Sequence, residues 1–170
     1  MGYTNDTNMK QFIPPVACAK TAGTWTPTVT SDVISDVRIA TAATFKVFIP
    51  LNPPSSSAFR EGSQIASVDI WYNIGTADFT DFANVTVEQQ TLTADGSAVT
   101  AAAYTTVTID ANHATAALRK VQGNHKMTVT FTGGLWITDK NPLYINLDCS
   151  AAATSTFSFL GAQINYTDRN

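Results

Sequence analysis

Two histidines, two cysteines and two glutamates are the scarcest reactive residues among 170, and their placement decides what chemistry is open to the chain. Nucleophilic catalysis needs a base beside the nucleophile. His113 and His125 are the only imidazoles, no GxSxG elbow accompanies them, and no cysteine lies near either in sequence. Both read as structural or surface histidines. Glycoside hydrolysis needs two placed carboxylic acids, yet Glu61 falls in a loop and Glu88 on a strand. HExxH, paired CxxC and the twelve-residue calcium loop are all missing. Asp78 and Asp81 of the segment GTADFTDF could grip calcium with backbone carbonyls; the competing reading is a solvated loop whose Phe79 and Phe82 tuck inward. Gly133-Gly134 precedes no helix, so no glycine loop cradles a phosphate. The reading is a protein that is not an enzyme, with no catalytic residue, no metal and no cofactor.

Cys18 and Cys149 lie in ACAK and DCS, without ligand spacing. The run Leu143, Ile145, Leu147, Cys149 puts Cys149 on an apolar face, where a thiol behaves as a small hydrophobe. Buried free thiols are therefore expected in preference to a Cys18 to Cys149 bridge. Ten Lys and Arg against thirteen Asp and Glu give a net charge of -3, which argues against direct nucleic-acid binding. No window reaches the roughly 20 apolar residues of a membrane span. FIPPVACA has Pro15 where a lipobox wants Leu, and Asp6 occupies the Ser or Thr position of a myristoylation string. The expectation is a cytosolically made protein with no membrane address.

The elements that would position any site are strands. Charged residues make up 14% of the chain, against about 25% in typical soluble domains. Hydroxyl, amide and alanine side chains replace them. From about Ser63 to Thr167 apolar and hydroxyl residues alternate, so Met127, Val129 and Phe131 enter a core while Thr128, Thr130 and Thr132 line the other face. Nine strands are expected: Trp25 to Thr30, Val33 to Ile39, Thr44 to Ile49, Gln64 to Ile74, Val85 to Leu92, Tyr104 to Ile109, Lys126 to Phe131, Leu143 to Cys149 and Thr156 to Thr167. Asn52-Pro53-Pro54 with Ser55 to Ser57, GTADFTDF at 75 to 82, and Asp95-Gly96-Ser97 separate them. One helical stretch is expected within 110 to 125, capped at Asp110 or Asn112 and stopped by Gly123.

Many short strands with long connections predict an all-β fold: an antiparallel jelly-roll-like β-sandwich with an extended N-terminal arm and at most one short helix. Residues 1–23 form the arm and residues 24–170 a single β-sandwich domain. Two strands break simple alternation. Between Val68, Ile70, Tyr72 and Ile74 on the inner face, Trp71 stands outside beside Asp69 and Asn73, as a loop-covered residue or a contact residue. On the last strand Phe157 and Phe159 share one face but Leu160, Ala162, Ile164 and Tyr166 the other, so either a bulge near Gly161 reverses the phase or both faces are covered. Interface residues expected from this pattern are Trp71, Asp69 and Asn73 on the body and Phe12, Ile13, Pro14 and Pro15 on the arm.

The run SVDIWYNIGTADFTDFANVTVEQQTLTADGSAVTA, then DANHATAALRKVQGNHKMTVTFTG, then NPLYINLDCSAAATSTFSFLGAQINYT resembles β-rich virion proteins of tailed phages, with a looser echo in TAGTWTPTVTSDVISDVR. It is also similar to the cement or decoration proteins of phage heads, many of them jelly-roll trimers. Strand patterning and a D-x-x-H-x-T-A-x-x-R-K segment carry the likeness, and no functional residue transfers with it. The resemblance implies a homotrimeric capsid cement protein that contacts itself and the major capsid protein of a phage head. It would be assembled in the host cytoplasm and located on the virion surface, its arm reaching a neighbouring subunit. Two other readings stand beside it: a receptor- or glycan-binding β-domain of a tail fibre, using Trp25, Trp71 and Trp136, and a jelly-roll capsid shell protein.

Overall fold

Burial with a period of two runs through the long central strands of the chain, which a computed structural model describes over residues 6–53, 63–93, 99–105, 107–137 and 142–169. The expected Ser55 to Ser57 loop, Glu61 and the Asp95-Gly96-Ser97 turn lie outside the described residues. The described strands are β1 (Asp6–Ile13), β2 (Ala19–Lys20), β3 (Trp25–Thr30), β4 (Val33–Arg38), β5 (Ala43–Pro50), β6 (Ser63–Gly75), β7 (Asp81–Leu92), β8 (Val99–Thr105), β9 (Val107–Ile109), β10 (Gly123–Trp136), β11 (Leu143–Ala151) and β12 (Thr156–Arg169). One helix, α1, spans Ala116–Arg119.

Among the described residues all strand pairings are antiparallel. One sheet runs β3-β4-β12-β6-β10-β9 with β1 added along β12, and the other runs β2-β5-β11-β7-β8. Eight strands form the body: β4, β12, β6 and β10 face β5, β11, β7 and β8. Among these eight, strands successive in the chain cross from sheet to sheet except at β7–β8, which is the double Greek-key order of a jelly roll.

The core follows from the alternation. Phe45, Val47 and Ile49 of β5 and Ile145 and Leu147 of β11 are buried, as are Val68, Ile70, Tyr72 and Ile74 of β6. Each such side chain contributes about 1.5–3 kcal/mol on leaving water. At one end Phe45, Phe79 and Phe157 pack ring against ring, 5.5–5.7 Å between centroids, and Trp25 closes the edge against Phe45 and Phe157. Cys18 and Cys149 are both free and buried, and loss of solvent pushes the Cys18 thiol up to about 12 and the Cys149 thiol well above its ordinary value.

The phase break on β12 is a bulge. Its register against β6 shifts between Phe159 and Gly161, Gly161 has φ +119°, and Phe157, Phe159, Ala162 and Ile164 all reach the core. The arm contains two strands that alternation does not announce: β1 pairs with β12 from Asp6↔Arg169 to Ile13↔Ala162, and β2 pairs with β5. The 110–125 stretch departs from a single helix. A 3₁₀ turn at Ala111–His113 precedes α1, and Gly123, at φ +143°, opens β10 instead of ending a helix. The cause is Arg119, which draws the carbonyls of His113 and Ala114 to its guanidinium.

Candidate functional site

The outer face of the β12-β6-β10 sheet is built from side chains that satisfy each other. Asp69 accepts from Thr128 Oγ1 at 2.7 Å and from Asn165 Nδ2 at 3.4 Å, and pairs with Lys126 Nζ at 3.3 Å. Asn165 Nδ2 also donates to Ser67 Oγ, Gln163 donates to Asn165 Oδ1, and Asn73 Nδ2 donates to Asn124 Oδ1 at 2.8 Å. Strand register produces this: Asp69 stands opposite Thr128 on one side and Gln163 on the other. The only ion pair within this set joins Asp69 to Lys126.

Trp71 lies in the middle of that face. It is half-buried, faces Lys126 across β10 with Nζ 5.6 Å from the ring centroid, and is the cross-strand partner of Gly161. A Cβ added at Gly161 would come within 2.7 Å of both Phe12 Cζ and the Ile13 carbonyl oxygen. The missing side chain therefore lets β1 lie down, with Phe12 over Gly161 and Trp71 beside it.

The arm residues expected at a contact surface separate into two groups. Phe12 is 56% exposed and remains available. Ile13 and Pro15 are buried in the chain's own core and Pro14 is half-buried, which corrects the expectation for the first two: the turn at Pro15–Ala17 carries the chain from one sheet to the other and must cross the core edge. Asp69 and Asn73 sit where expected, although their polar atoms are engaged within the sheet.

The three tryptophans share no surface. Trp25 packs inward, Trp71 lies mid-face, and Trp136 pairs with Gln64, seven positions along β6 from Trp71, or roughly 23 Å at the usual rise. A different concavity lies on the outer face of the second sheet. It measures about 330 Å³ and is lined by Phe48, Tyr144, Ala19, Glu88 and Gln90. Glu88 accepts there from Asn146 Nδ2 at 2.7 Å.

Sequence reasoning missed Arg119. It is 5% exposed, and its Nε, Nη1 and Nη2 donate to the carbonyls of Phe82, Ala83, His113 and Ala114. Burial holds its pKa below the ordinary arginine value. Asp78, weighed for calcium, accepts the Gln122 N–H at 2.7 Å, while Phe79 and Phe82 are buried as the competing reading holds. Among the described residues no three of His, Cys, Asp and Glu converge as metal ligands. Compared with known proteins, the chain matches no family model and no curated protein.

Proposed function

We propose that this chain is a structural protein of a virus particle, a homo-oligomeric cement or decoration protein of a phage head. The jelly roll is a fold of viral capsid and lectin domains. One observation carries the reading: the outer face of the β12-β6-β10 sheet is a polar but nearly uncharged surface whose hydrogen bonds are already made. Covering such a face with another protein orphans few donors or acceptors, so desolvation costs less than over unpaired charge. Trp71 and Phe12 supply the apolar anchors such a contact needs. The arm, by pairing with β12, presents the exposed Phe12 on the rim of that face.

The native mass tests this. A trimer that co-purifies with particles in high copy number is the expected result. Trp71→Ala is expected to raise the dissociation constant of the assembly about tenfold or more, with little change in the melting temperature of the isolated chain. A stable monomer that never associates with particles overturns the proposal.

The cavity beside Phe48 and Tyr144 favours a second reading, a glycan-binding domain. Its two rings offer a stacking surface, and Glu88 and Gln90 offer hydrogen-bond partners. Binding to a glycan panel that is lost in Tyr144→Ala would support it over the first.

A further inference from the structure

One end of the sandwich is closed where the β6–β7 connection meets the segment between β9 and β10. Phe79 N donates to Lys120 O at 2.9 Å, Gln122 N donates to Asp78 Oδ1, and Lys120 Nζ reaches Thr80 O. Beneath this clasp two imidazoles meet. His113 Nδ1 lies 2.9 and 3.0 Å from the two oxygens of Asp110, and His113 Nε2 lies 3.1 Å from His125 Nδ1. His125 Nε2 lies 2.8 Å from the Val121 carbonyl, and the ring stacks on Tyr72 at 4.6 Å and 7°.

Counting protons along this row leaves one solution. Burial would raise the Asp110 carboxyl, but the N–H bonds from Thr128 at 2.7 Å and Asn112 at 3.0 Å and the contact with His113 hold it below the usual carboxylate range, so at neutral pH it is an ionised acceptor, and a carbonyl only accepts. The outer nitrogens, His113 Nδ1 and His125 Nε2, must therefore be protonated. With both rings neutral, the inner nitrogens would be two lone pairs facing at 3.1 Å. With both rings charged, they would be two N–H groups in collision. A single extra proton between them satisfies every contact, and Asp110 supplies its counter-charge.

We propose that His113 and His125 hold one shared proton at neutral pH, and that uptake of a second opens the clasp between the β6–β7 connection and the 110–122 segment. The surroundings oppose a second charge. Arg119 and Lys120 on α1 and its flank are cationic, and Arg119 binds the His113 carbonyl directly. Tyr72 of β6 presents a ring face, its hydroxyl donating to Arg119 O. Lys126 of β10 points to the opposite sheet face, toward Asp69. Asp78 is engaged by Gln122, and Asp81 at the start of β7 acts on Arg119. Burial first, and the His113 charge as well, hold His125 below the usual histidine range against the pull of the Val121 carbonyl. A depressed folded value means this contribution to stability is complete above about pH 6.5 and is lost as pH falls toward the folded value.

The test is proton–nitrogen NMR of the imidazoles in the isotope-labelled full chain, with amide hydrogen exchange followed over the same pH series. At about pH 7 three of the four ring nitrogens should carry protons, and the inner two should share one. Protection factors at Phe79 and Gln122 should fall about tenfold or more between about pH 7 and about pH 5. His125→Phe keeps a ring over Tyr72 but cannot titrate, so protection at these amides should lose that pH dependence. Two ring protons at about pH 7, one on each neutral imidazole, overturn the proposal. An identical exchange profile in the variant does the same. If the variant does not fold, the proton count in the native chain decides, whatever the oligomeric state.

Discussion

Charge buried at the sandwich edges has two solutions in this chain, one neutralised by carbonyls and one by a carboxylate. Arg119 is the first. Its donors all go to carbonyl oxygens, and that explains the D-x-x-H-x-T-A-x-x-R-K pattern: Asp110 caps the 3₁₀ turn, Thr115 caps α1, and Arg119 ties both to β7. Lys20 is the second. It forms an ion pair with Asp36, the two side chains 8% and 6% exposed, and Nζ also donates to the Cys18 carbonyl at 3.0 Å. Asp36→Ala removes the counter-charge and leaves the ammonium buried, so chemical denaturation should show a loss of about 3–5 kcal/mol. Lys20→Met combined with Asp36→Leu should recover most of it. Neither cluster was legible in the sequence, because residues 16 and 37 positions apart, Lys20 from Asp36 and Arg119 from Phe82, carry no mark of which strands become neighbours.

At the scale of elements, legibility followed the apolar pattern. The inner faces of β6 and β11 and Trp71's outward direction could be read from spacing, and on β12 the phase break near Gly161 left two readings, a bulge or two covered faces, between which the register shift decides. β1 could not. Six of its eight residues are exposed, and backbone pairing with β12, not an apolar stripe, holds it in place. Gly161→Ala tests that account. An alanine there must adopt φ +119° and meets Phe12 and the Ile13 carbonyl at 2.7 Å. The expected cost is about 1–3 kcal/mol, with amide protection lost along β1 and kept in β6 and β10. Equal loss in all three strands would show that the arm is not a separable element.

For the whole molecule, the arm is a clamp in two parts. Truncation of residues 1–10 removes most of β1 but leaves Ile13, Pro15 and Cys18 in the core, so the chain should stay folded with its melting temperature a few degrees lower. Truncation of residues 1–20 also removes these three and the partner of Asp36, and should yield an unfolded or insoluble chain; circular dichroism on heating separates the cases. The all-β class, the inner faces of the long strands and the polar outer surface were legible before any folding, because each depends only on period-two alternation along one strand. Tertiary structure alone decided the jelly-roll strand order, the docking of β1 on β12, the carbonyl cage around Arg119 and the meeting of His113 with His125. Those depend on which strands become neighbours, and strand pairing is settled by long-range packing of faces that look alike in sequence.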